Sequence, residues 1–311
     1  MEQLKVCFIG IGSIARRHIR NLKSIAGNRG FTVQTDAFRR SGTAVEGVDT
    51  IYTELYKVPD DYDVIFITNP TDMHLDTLKK FHEKGKHFFI EKPVASLEQI
   101  EEAKDFTIRN DSVYYVACPL RYNAVIQYVK QNIDPKDVLS VRSISSSYLP
   151  DWRPGQDYRD TYSAHKDMGG GVSIDLIHEW DYLTYLFGWP INIQSFIGKK
   201  SDLEIDSDDY AIYIAEYPEM IAELHLDYFG RKTVREIQLI TKEDTIIGDI
   251  QNNQLKYLKS GKIIDFHEER DNYQRRELET FLDTITEALP VDEGYRHALH
   301  VLELTQGRLM I

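Results

Sequence analysis

Short strand-like runs alternate with segments of helical periodicity over the first third of the chain. The predicted strands lie at residues 6–9, 32–38, 64–67, 87–90 and 113–117, and the helical segments at 13–25, 73–84 and 97–109. Runs of β-branched and aromatic residues without polar interruption indicate parallel strands that are covered on both faces. Strands that alternate with helices predict an α/β domain with a doubly wound parallel sheet.

The pattern changes near residue 120. The segments 140–145, 210–216, 221–228 and 234–240 alternate apolar and polar positions, which indicates an antiparallel sheet with one covered face. A glycine triplet at 169–171 opens a helix that ends near 188, and the tail contains two helices separated by Pro290. We predict two domains, 1–121 and 122–311. The second is an α+β domain with a large, mostly antiparallel sheet, and its last helices could pack back on the first.

Charge and composition narrow the function. The 311 residues include 50 acidic and 37 basic side chains, for a formal net charge of −13. Nucleic-acid binding and anionic membranes both need clustered Lys and Arg, so neither partner is expected. No apolar run has the length of a membrane span or the form of a signal peptide, so we expect a cytoplasmic protein. Cys7 and Cys118 lie in apolar runs and are interpreted as small buried side chains.

A glycine-rich turn follows the first strand. Residues 10–15 fit G-x-G-x-x-[G/A] and open the first helix. In this motif Gly10 permits a tight turn, Gly12 lets a pyrophosphate approach the backbone, and Ala15 lets helix and strand pack closely. The alternative is a glycine that simply ends a strand. The position between strand and helix favours a dinucleotide-binding (Rossmann) domain.

The end of the second strand should select the ribose. Arg39, Arg40 and Ser41 follow this strand and favour the 2′-phosphate of NADP. Asp36 could instead bind the 2′-hydroxyl of NAD, and the basic residues could be a solvated turn. We expect NADP or NAD, with NADP favoured.

Later strands also end in polar loops, and such loops meet in the ligand crevice of a doubly wound sheet. Lys92 follows the strand at 87–90, where partial desolvation would suit a lysine to acid–base chemistry. A surface lysine before a turn is the alternative. The other loop residues of interest are Thr68, Asn69, Pro70, His74 and Glu91.

A second candidate cluster follows the glycine triplet. On a continuous helix Asp175 and His178 share a face, with Tyr182 one turn further on. A solvated polar face is the usual explanation, but three glycines imply that the backbone closely approaches something at the helix start. No third ligand has suitable spacing, so no metal is expected. A separate apolar stripe contains Leu176, Trp180, Leu183 and Phe187.

These motifs together resemble the glucose-fructose oxidoreductase / inositol dehydrogenase / rhizopine catabolism (Gfo/Idh/MocA) family. The resemblance rests on the glycine turn, Asn69-Pro70 with His74, Glu91-Lys92-Pro93, and the glycine triplet with Asp and His. It implies that Lys92, Asp175 and His178 are catalytic. Many members have four residues from this Asp to this His, whereas here there are three, so His178 is the safer assignment. Together with the residues at the end of the second strand, the predicted cofactor-binding set is Gly10, Gly12, Ser13, Ile14, Arg39, Arg40, Ser41, Thr68, Asn69, Pro70, His74, Glu91 and Lys92.

The family also implies a substrate and an assembly. The substrate is a sugar or sugar derivative, and the C-terminal sheet often forms a homodimer or homotetramer. The loop from residue 151 resembles that of a subgroup associated with surface glycans, whose basic and aromatic residues suit an anionic or nucleotide-linked sugar. The implied substrate-binding set is Arg121, Asn123, Trp152, Arg153, Tyr158, Arg159, Asp175 and His178.

We therefore predict an NAD(P)-dependent oxidoreductase that transfers a hydride to or from a carbohydrate. Two alternatives stay open. One is an enzyme that uses tightly bound NAD in an internal redox cycle, and the other is a non-catalytic NAD(P)-binding regulator. A regulator would need neither Lys92 nor His178, so their joint presence favours an enzyme.

Overall fold

The strand that carries the glycine motif lies inside a six-stranded parallel sheet. The strand order is β3-β2-β1-β4-β5-β6, and each neighbouring pair is parallel. This is the order of a Rossmann sheet, so the predicted α/β fold is confirmed. The strands are β1 Gln3–Ile9, β2 Thr32–Phe38, β3 Thr50–Tyr52, β4 Tyr62–Ile67, β5 Gly85–Ile90 and β6 Tyr114–Val116.

The structure, a computed structural model, describes residues 2–287 and 294–309, so Pro290 lies outside the described residues. The chain forms two compact units. The first contains Met1–Ala117 and Gln274–Leu299, and the second contains Cys118–Tyr273 and His300–Ile311. The first division thus lies four residues before the predicted boundary at 121, and a C-terminal segment joins the first unit.

Helix α1, Ser13–Arg29, shows how the sequence builds the first unit. It begins after Gly12 and ends at Gly30, whose φ of 76° is the left-handed conformation of a helix stop. Its apolar face is buried against the sheet side chains. On the same sheet the rings of Phe8, Phe66 and Phe89 stack in a row, with centroids 4.4 Å and 5.1 Å apart. The other helices are α2 His74–Phe81, α3 Ile100–Asp105, α4 Ala124–Asn132, α5 Val172–Asp175, α6 His178–Phe187, α7 Arg270–Glu287 and α8 Tyr295–Leu304.

In this unit the sequence overestimated the length of one helix and missed one strand. Helix α3 ends at Asp105 rather than at 109, because Phe106 is extended and its ring packs against His82 and Tyr114. Strand β3 was missed, since only three residues pair with the edge of the sheet.

The second unit is built on an eight-stranded sheet of order β14-β13-β12-β11-β7-β10-β9-β8. Only the pair β7 and β10 is parallel, so the predicted mostly antiparallel sheet is confirmed. The alternation also holds, since Val141, Ile237 and Leu239 are buried on one face. The strands are β7 Val138–Tyr148, β8 Asn192–Gly198, β9 Tyr210–Glu216, β10 Ile221–Asp227, β11 Phe229–Thr241, β12 Thr245–Asp249, β13 Gln254–Tyr257 and β14 Ile263–Asp265.

The segment after the glycine triplet is not one helix, as we predicted, but two. Helix α5 ends at Asp175, Leu176 adopts φ −100° and ψ 30°, and α6 begins at His178. Tyr182 consequently does not share a polar face with Asp175. It is fully buried, and its hydroxyl lies 2.5 Å from Ser143 Oγ on β7.

Within the described residues, every helix is too short or too polar to cross a membrane.

Candidate active site

The glycine turn of the first unit leaves open space where a ligand would approach. Gly10 has φ 87°, donates from its N–H to the Phe38 carbonyl at 3.1 Å, and would place a Cβ only 2.9 Å from Asn69 Cα. A Cβ on Gly12 would instead meet no atom within 4 Å. The contacts of the chain itself therefore require Gly10, whereas the backbone at Gly12, just before Ser13 and Ile14 open α1, is open on the side where a Cβ would lie.

The loop after β4 is fixed from behind. Thr68 Oγ1 donates to the Gly10 carbonyl at 2.7 Å, and Asn69 Nδ2 donates to Thr77 Oγ1 at 2.7 Å. Asn69 Oδ1 is buried and has no hydrogen-bond partner in the described structure. A buried acceptor of this kind fits a donor from a bound ligand.

His74 supports this loop rather than facing a ligand. Its ring nitrogens lie 2.7 Å from the Pro93 carbonyl and 2.8 Å from the Asn69 carbonyl. Burial lowers the pKa of His74, so the ring is neutral near pH 7 and donates to one of the two carbonyls. The geometry does not support our prediction that His74 contacts the cofactor directly. Instead, His74 links the loop after β4 to the loop after β5.

Glu91 is held inside the unit at the end of β5. Its carboxylate accepts from His18 Nε2 at 2.6 Å. Burial raises the pKa of Glu91, but the His18 hydrogen bond and the nearby charges of His18 and Lys92 together outweigh burial and keep this pKa below its usual value. Lys92 follows Glu91 directly and is half-buried at the strand end.

The end of β2 carries basic side chains and no acid. Asp36 is fully buried in the strand and accepts from the Tyr62 hydroxyl at 2.8 Å, so it does not read a ribose. Arg39 is half-buried and Arg40 exposed, and neither lies within ion-pair distance of a carboxylate in the described part of the chain. The exposed Ser41 Oγ contacts Thr43 Oγ1 at 2.8 Å.

The second unit contains a cavity of about 560 Å³ on the covered side of its sheet. Five of the eight predicted substrate residues line it, and they are Asn123, Trp152, Arg153, Asp175 and His178. Sequence reasoning missed several further lining residues, including Ser145, Thr233, Arg235, Gln251 and Glu268.

Asp175 is held in this cavity by tyrosines. The Tyr228 hydroxyl donates to Asp175 Oδ2 at 2.6 Å, and both side chains are buried. The negative charge of Asp175 and burial both raise the pKa of Tyr162, which also hydrogen-bonds this carboxylate. Trp152 packs edge-on against Tyr228 at 5.2 Å and donates to Ser147 Oγ at 2.9 Å. The carboxylate thus has fixed donors on one side and the cavity on the other.

The glycine triplet meets the unit's own chain. A Cβ on Gly170 would clash with the Tyr162 carbonyl, and one on Gly171, which has φ 132°, would clash with the Asp208 carboxylate. Asp208 Oδ2 accepts from the Ser173 N–H at 2.9 Å at the start of α5. The close approach that we inferred is therefore a packing contact that sets where Asp175 points.

Three predicted substrate residues do not line the cavity. Arg121 is 1% exposed and forms two 2.8 Å hydrogen bonds to the Asp181 carboxylate, which leaves it a structural role. Arg159 is exposed and is paired with Asp157 and Glu204. Tyr158 lines a neighbouring cleft instead.

Asn123 reaches the cavity but is already engaged. Its Oδ1 accepts from the Val125 N–H at 2.9 Å as the N-cap of α4, and its Nδ2 donates to Asn253 at 2.7 Å. Its side chain therefore shapes the wall rather than reaching for a ligand.

Comparison with known proteins agrees with this architecture. A model described as an oxidoreductase family with an NAD-binding Rossmann fold matches residues 4–118, and a GFO/IDH/MocA C-terminal domain model matches residues 126–247. Inositol 2-dehydrogenase of Rhizobium meliloti is 26% identical over 211 residues, which cover 65% of this chain and 61% of that protein. The matched regions span 54% to 61% of the length of three curated relatives.

Two solved structures share the fold over nearly the whole chain. Levoglucosan dehydrogenase in complex with NADH has a TM-score of 0.84 at 16% identity and covers 98% of this chain and 95% of that one. UDP-N-acetylglucosamine 3-dehydrogenase of Acidithiobacillus ferrooxidans has a TM-score of 0.78 at 19% identity, with coverage of 98% and 96%.

A Rossmann unit with an open glycine turn, followed by a mostly antiparallel sheet, is a two-unit architecture whose first unit has the NAD-binding Rossmann fold. Because the two family models together match more than half of its residues, the chain belongs to the Gfo/Idh/MocA oxidoreductase family.

Proposed function

We propose that the protein is an NAD(P)-dependent dehydrogenase or reductase that acts on the CH–OH group of a sugar or sugar derivative. The observation that carries the proposal is the cavity in the second unit, where Asp175 and His178 line a polar space of about 560 Å³. Hydroxyl, amide and charged groups around this space offer the donors and acceptors that a polyhydroxylated ligand needs.

The first unit fits the cofactor. The backbone N–H groups at Gly12 and the start of α1 would bind the pyrophosphate. Asn69 Oδ1, in the loop after β4, is a buried acceptor for a donor group of the ligand. Bound there, the nicotinamide would supply hydride transfer. We propose NADP over NAD, because Arg39 and Arg40 lack acidic partners in the described chain while Asp36 is buried. Ser13, Ile14, Ser41, Thr68, Pro70 and Glu91 complete the proposed cofactor set.

His178 and Lys92 share the proton chemistry in this proposal. His178 takes the proton from the substrate hydroxyl, while the Lys92 ammonium donates a hydrogen bond to the same oxygen and offsets its developing negative charge. Asp175, fixed by Tyr228, accepts from the neighbouring substrate hydroxyl or from His178.

The test is turnover of a panel of sugars, inositols and nucleotide sugars with NADP⁺ and NAD⁺, followed by nicotinamide absorbance. Lys92→Ala should lower kcat/KM by about 10²- to 10⁴-fold without changing the Kd for the cofactor. Lys86→Ala is the matched control, since Lys86 is exposed on the same strand β5. Full activity of Lys92→Ala contradicts the assignment.

The same panel separates the alternatives. A cofactor that stays bound through purification and never shows net turnover, while product forms, would indicate an internal redox cycle. Cofactor binding without conversion of any sugar, and without an effect of Lys92→Ala, would indicate a regulator.

We also propose a homodimer or homotetramer through the second face of the large sheet. This face carries exposed apolar side chains at alternate strand positions, with Phe196 69% exposed and Ile144 and Ile214 each 38% exposed. Light scattering should give a multiple of the chain mass, and Phe196→Glu should shift it toward the monomer.

A further inference from the structure

We propose that a cleft next to the candidate active site binds the nucleoside-diphosphate part of a nucleotide-linked sugar. The proposal rests on the proposed function, because it assigns the sugar itself to the cavity of Asp175 and His178. The cleft has a volume of about 420 Å³ and belongs to the same unit. Tyr148 lines both the cavity and the cleft, so the two spaces are neighbours.

The walls of the cleft include three aromatic rings. They belong to Tyr148 at the end of β7, Phe229 at the start of β11 and Tyr158 in the loop after β7. Tyr148 and Phe229 face each other as register partners, and the Tyr158 hydroxyl is fixed by the Glu204 N–H at 3.1 Å. Held aromatic side chains are suited to stacking on a planar base.

Two cations line the same cleft. The Arg231 guanidinium lies 4.1 Å from the centre of the Tyr148 ring, and Lys200 is on the segment after β8. Within the described residues, neither side chain is at ion-pair distance from a carboxylate. In a chain with a formal net charge of −13, two cations without acidic partners that share one cleft form an attractive site for an anion.

Two of the acidic side chains near the cleft already have partners. Asp209 accepts from the N–H groups of Lys200 and Ser201, each at 2.8 Å. Glu204 is paired with Arg159. Asp202 is the remaining carboxylate among the lining residues, and it is exposed. Within the described residues Asp202 forms no ion pair with Lys200 or Arg231, so the lining of the cleft carries two positive charges and one negative charge.

The combination of groups selects the ligand class. Phosphate oxygens suit Lys200 and Arg231, a planar base suits the rings, and a sugar linked to the phosphate could extend past Tyr148 into the polar cavity. An uncharged monosaccharide would leave the two cations without an anionic partner. A nucleoside diphosphate attached to the sugar offers a partner both to the cations and to the rings.

The test is isothermal titration of UDP and of ADP into the full-length protein in the presence of saturating NADPH, which occupies the proposed dinucleotide site. We expect binding to the wild type and about tenfold or greater weakening in Arg231→Gln and in Lys200→Gln, since each loses a charge-assisted contact. Lys232→Gln is the control, because Lys232 is the exposed neighbour of Arg231 on β11 and does not line the cleft. It should bind as the wild type does.

The outcomes separate this proposal from the proposed function. NADPH binding without binding of either nucleoside diphosphate overturns the cleft assignment alone. The assignment also fails if Arg231→Gln and Lys200→Gln bind as the wild type does, or if Lys232→Gln weakens binding equally. Failure of every dinucleotide to bind overturns the proposed cofactor site, while the comparison of Arg231→Gln with Lys232→Gln still reports on the cleft.

Discussion

Replacing Gly12 by alanine tests whether the glycine turn serves a ligand or only the fold. Gly12 has φ −94° and ψ −166°, an extended conformation that alanine adopts without strain, and an added Cβ would meet no atom within 4 Å. The free energy of unfolding without ligand should therefore change by no more than about 0.5 kcal/mol. The same methyl group would project into the space where the pyrophosphate must contact the backbone.

The expected loss of cofactor binding follows from that overlap. Forcing an extra methyl group into a close-packed contact costs about 1–3 kcal/mol. Since about 1.4 kcal/mol corresponds to a tenfold change in Kd, the Kd for NADPH should rise by about 5- to 150-fold. Calorimetric titration with NADPH and NADH measures this change, and thermal unfolding of the ligand-free protein measures stability.

Gly27→Ala is the matched control. Gly27 is exposed within the same helix α1 and also has no atom within 4 Å of a Cβ. In a helix interior this change should stabilise the protein by about 1 kcal/mol and leave the Kd unchanged. If Gly12→Ala bound both dinucleotides as tightly as the wild type does, the reasoning would be refuted. If the ligand-free Gly12→Ala protein unfolded, the fold itself would require glycine at this position.

Two further predictions concern buried side chains. Tyr228→Phe removes the 2.6 Å hydrogen bond to Asp175, so the free energy of unfolding should fall by about 1.5–3 kcal/mol. The same change should reduce kcat more than it raises KM. A double-mutant cycle with Asp175→Asn that shows no coupling would contradict this prediction. Burial is the largest cause that lowers the pKa of His87 from 6.5 to about 4, so the stabilisation from its neutral ring is present above pH 6.5 and is lost as the pH falls toward 4. Between pH 6.5 and pH 4 the free energy of unfolding, measured with urea, should fall by about 3 kcal/mol because of His87. The variant His87→Gln cannot titrate, so its free energy of unfolding should fall correspondingly less over this pH range. An equal fall in both proteins would show that His87 is not the group responsible.

The Rossmann unit could be predicted because its signals are local. A buried parallel strand is apolar along its whole length, and a strand, glycine turn and helix follow one another without interruption, as at β1, Gly10 and α1. The short edge strand β3 has only three residues and no such signal. The break between α5 and α6 was equally invisible, because Leu176 and Ile177 fit an apolar helical pattern as well as they fit a turn.

Polar residues at inward positions of alternating strands were a signal that sequence reasoning could have used. On β11, Arg235 precedes Ile237 and Leu239 on the covered face, and it lines the cavity. Its Nε lies 2.7 Å from the fully buried Glu179. A cation at a position where the pattern demands an apolar side chain needs a partner or a ligand, so the departure from alternation itself marks the site.

Arg121 shows the opposite limit. It follows the last strand of the Rossmann sheet, where a charged residue is easily assigned to a ligand, but Asp181 lies 60 residues later and pairs with it through two 2.8 Å hydrogen bonds. A charged side chain buried to 1% exposure must be compensated, and the sequence does not reveal whether the compensating group is a substrate or a distant carboxylate.

The two glycine motifs of the chain differ in what lies beside their backbone. At Gly12 the space beside the backbone is open, so the missing side chain leaves room for something outside the chain. At Gly170 and Gly171 the space is filled by Tyr162 and Asp208 of the same unit, so the missing side chains let the chain close on itself. In both motifs the glycines allow a group to approach the backbone closely. Only the fold shows whether that group belongs to the chain itself. The triplet therefore acts on the candidate site indirectly, because it sets the start of α5 and with it the position of Asp175 against Tyr228.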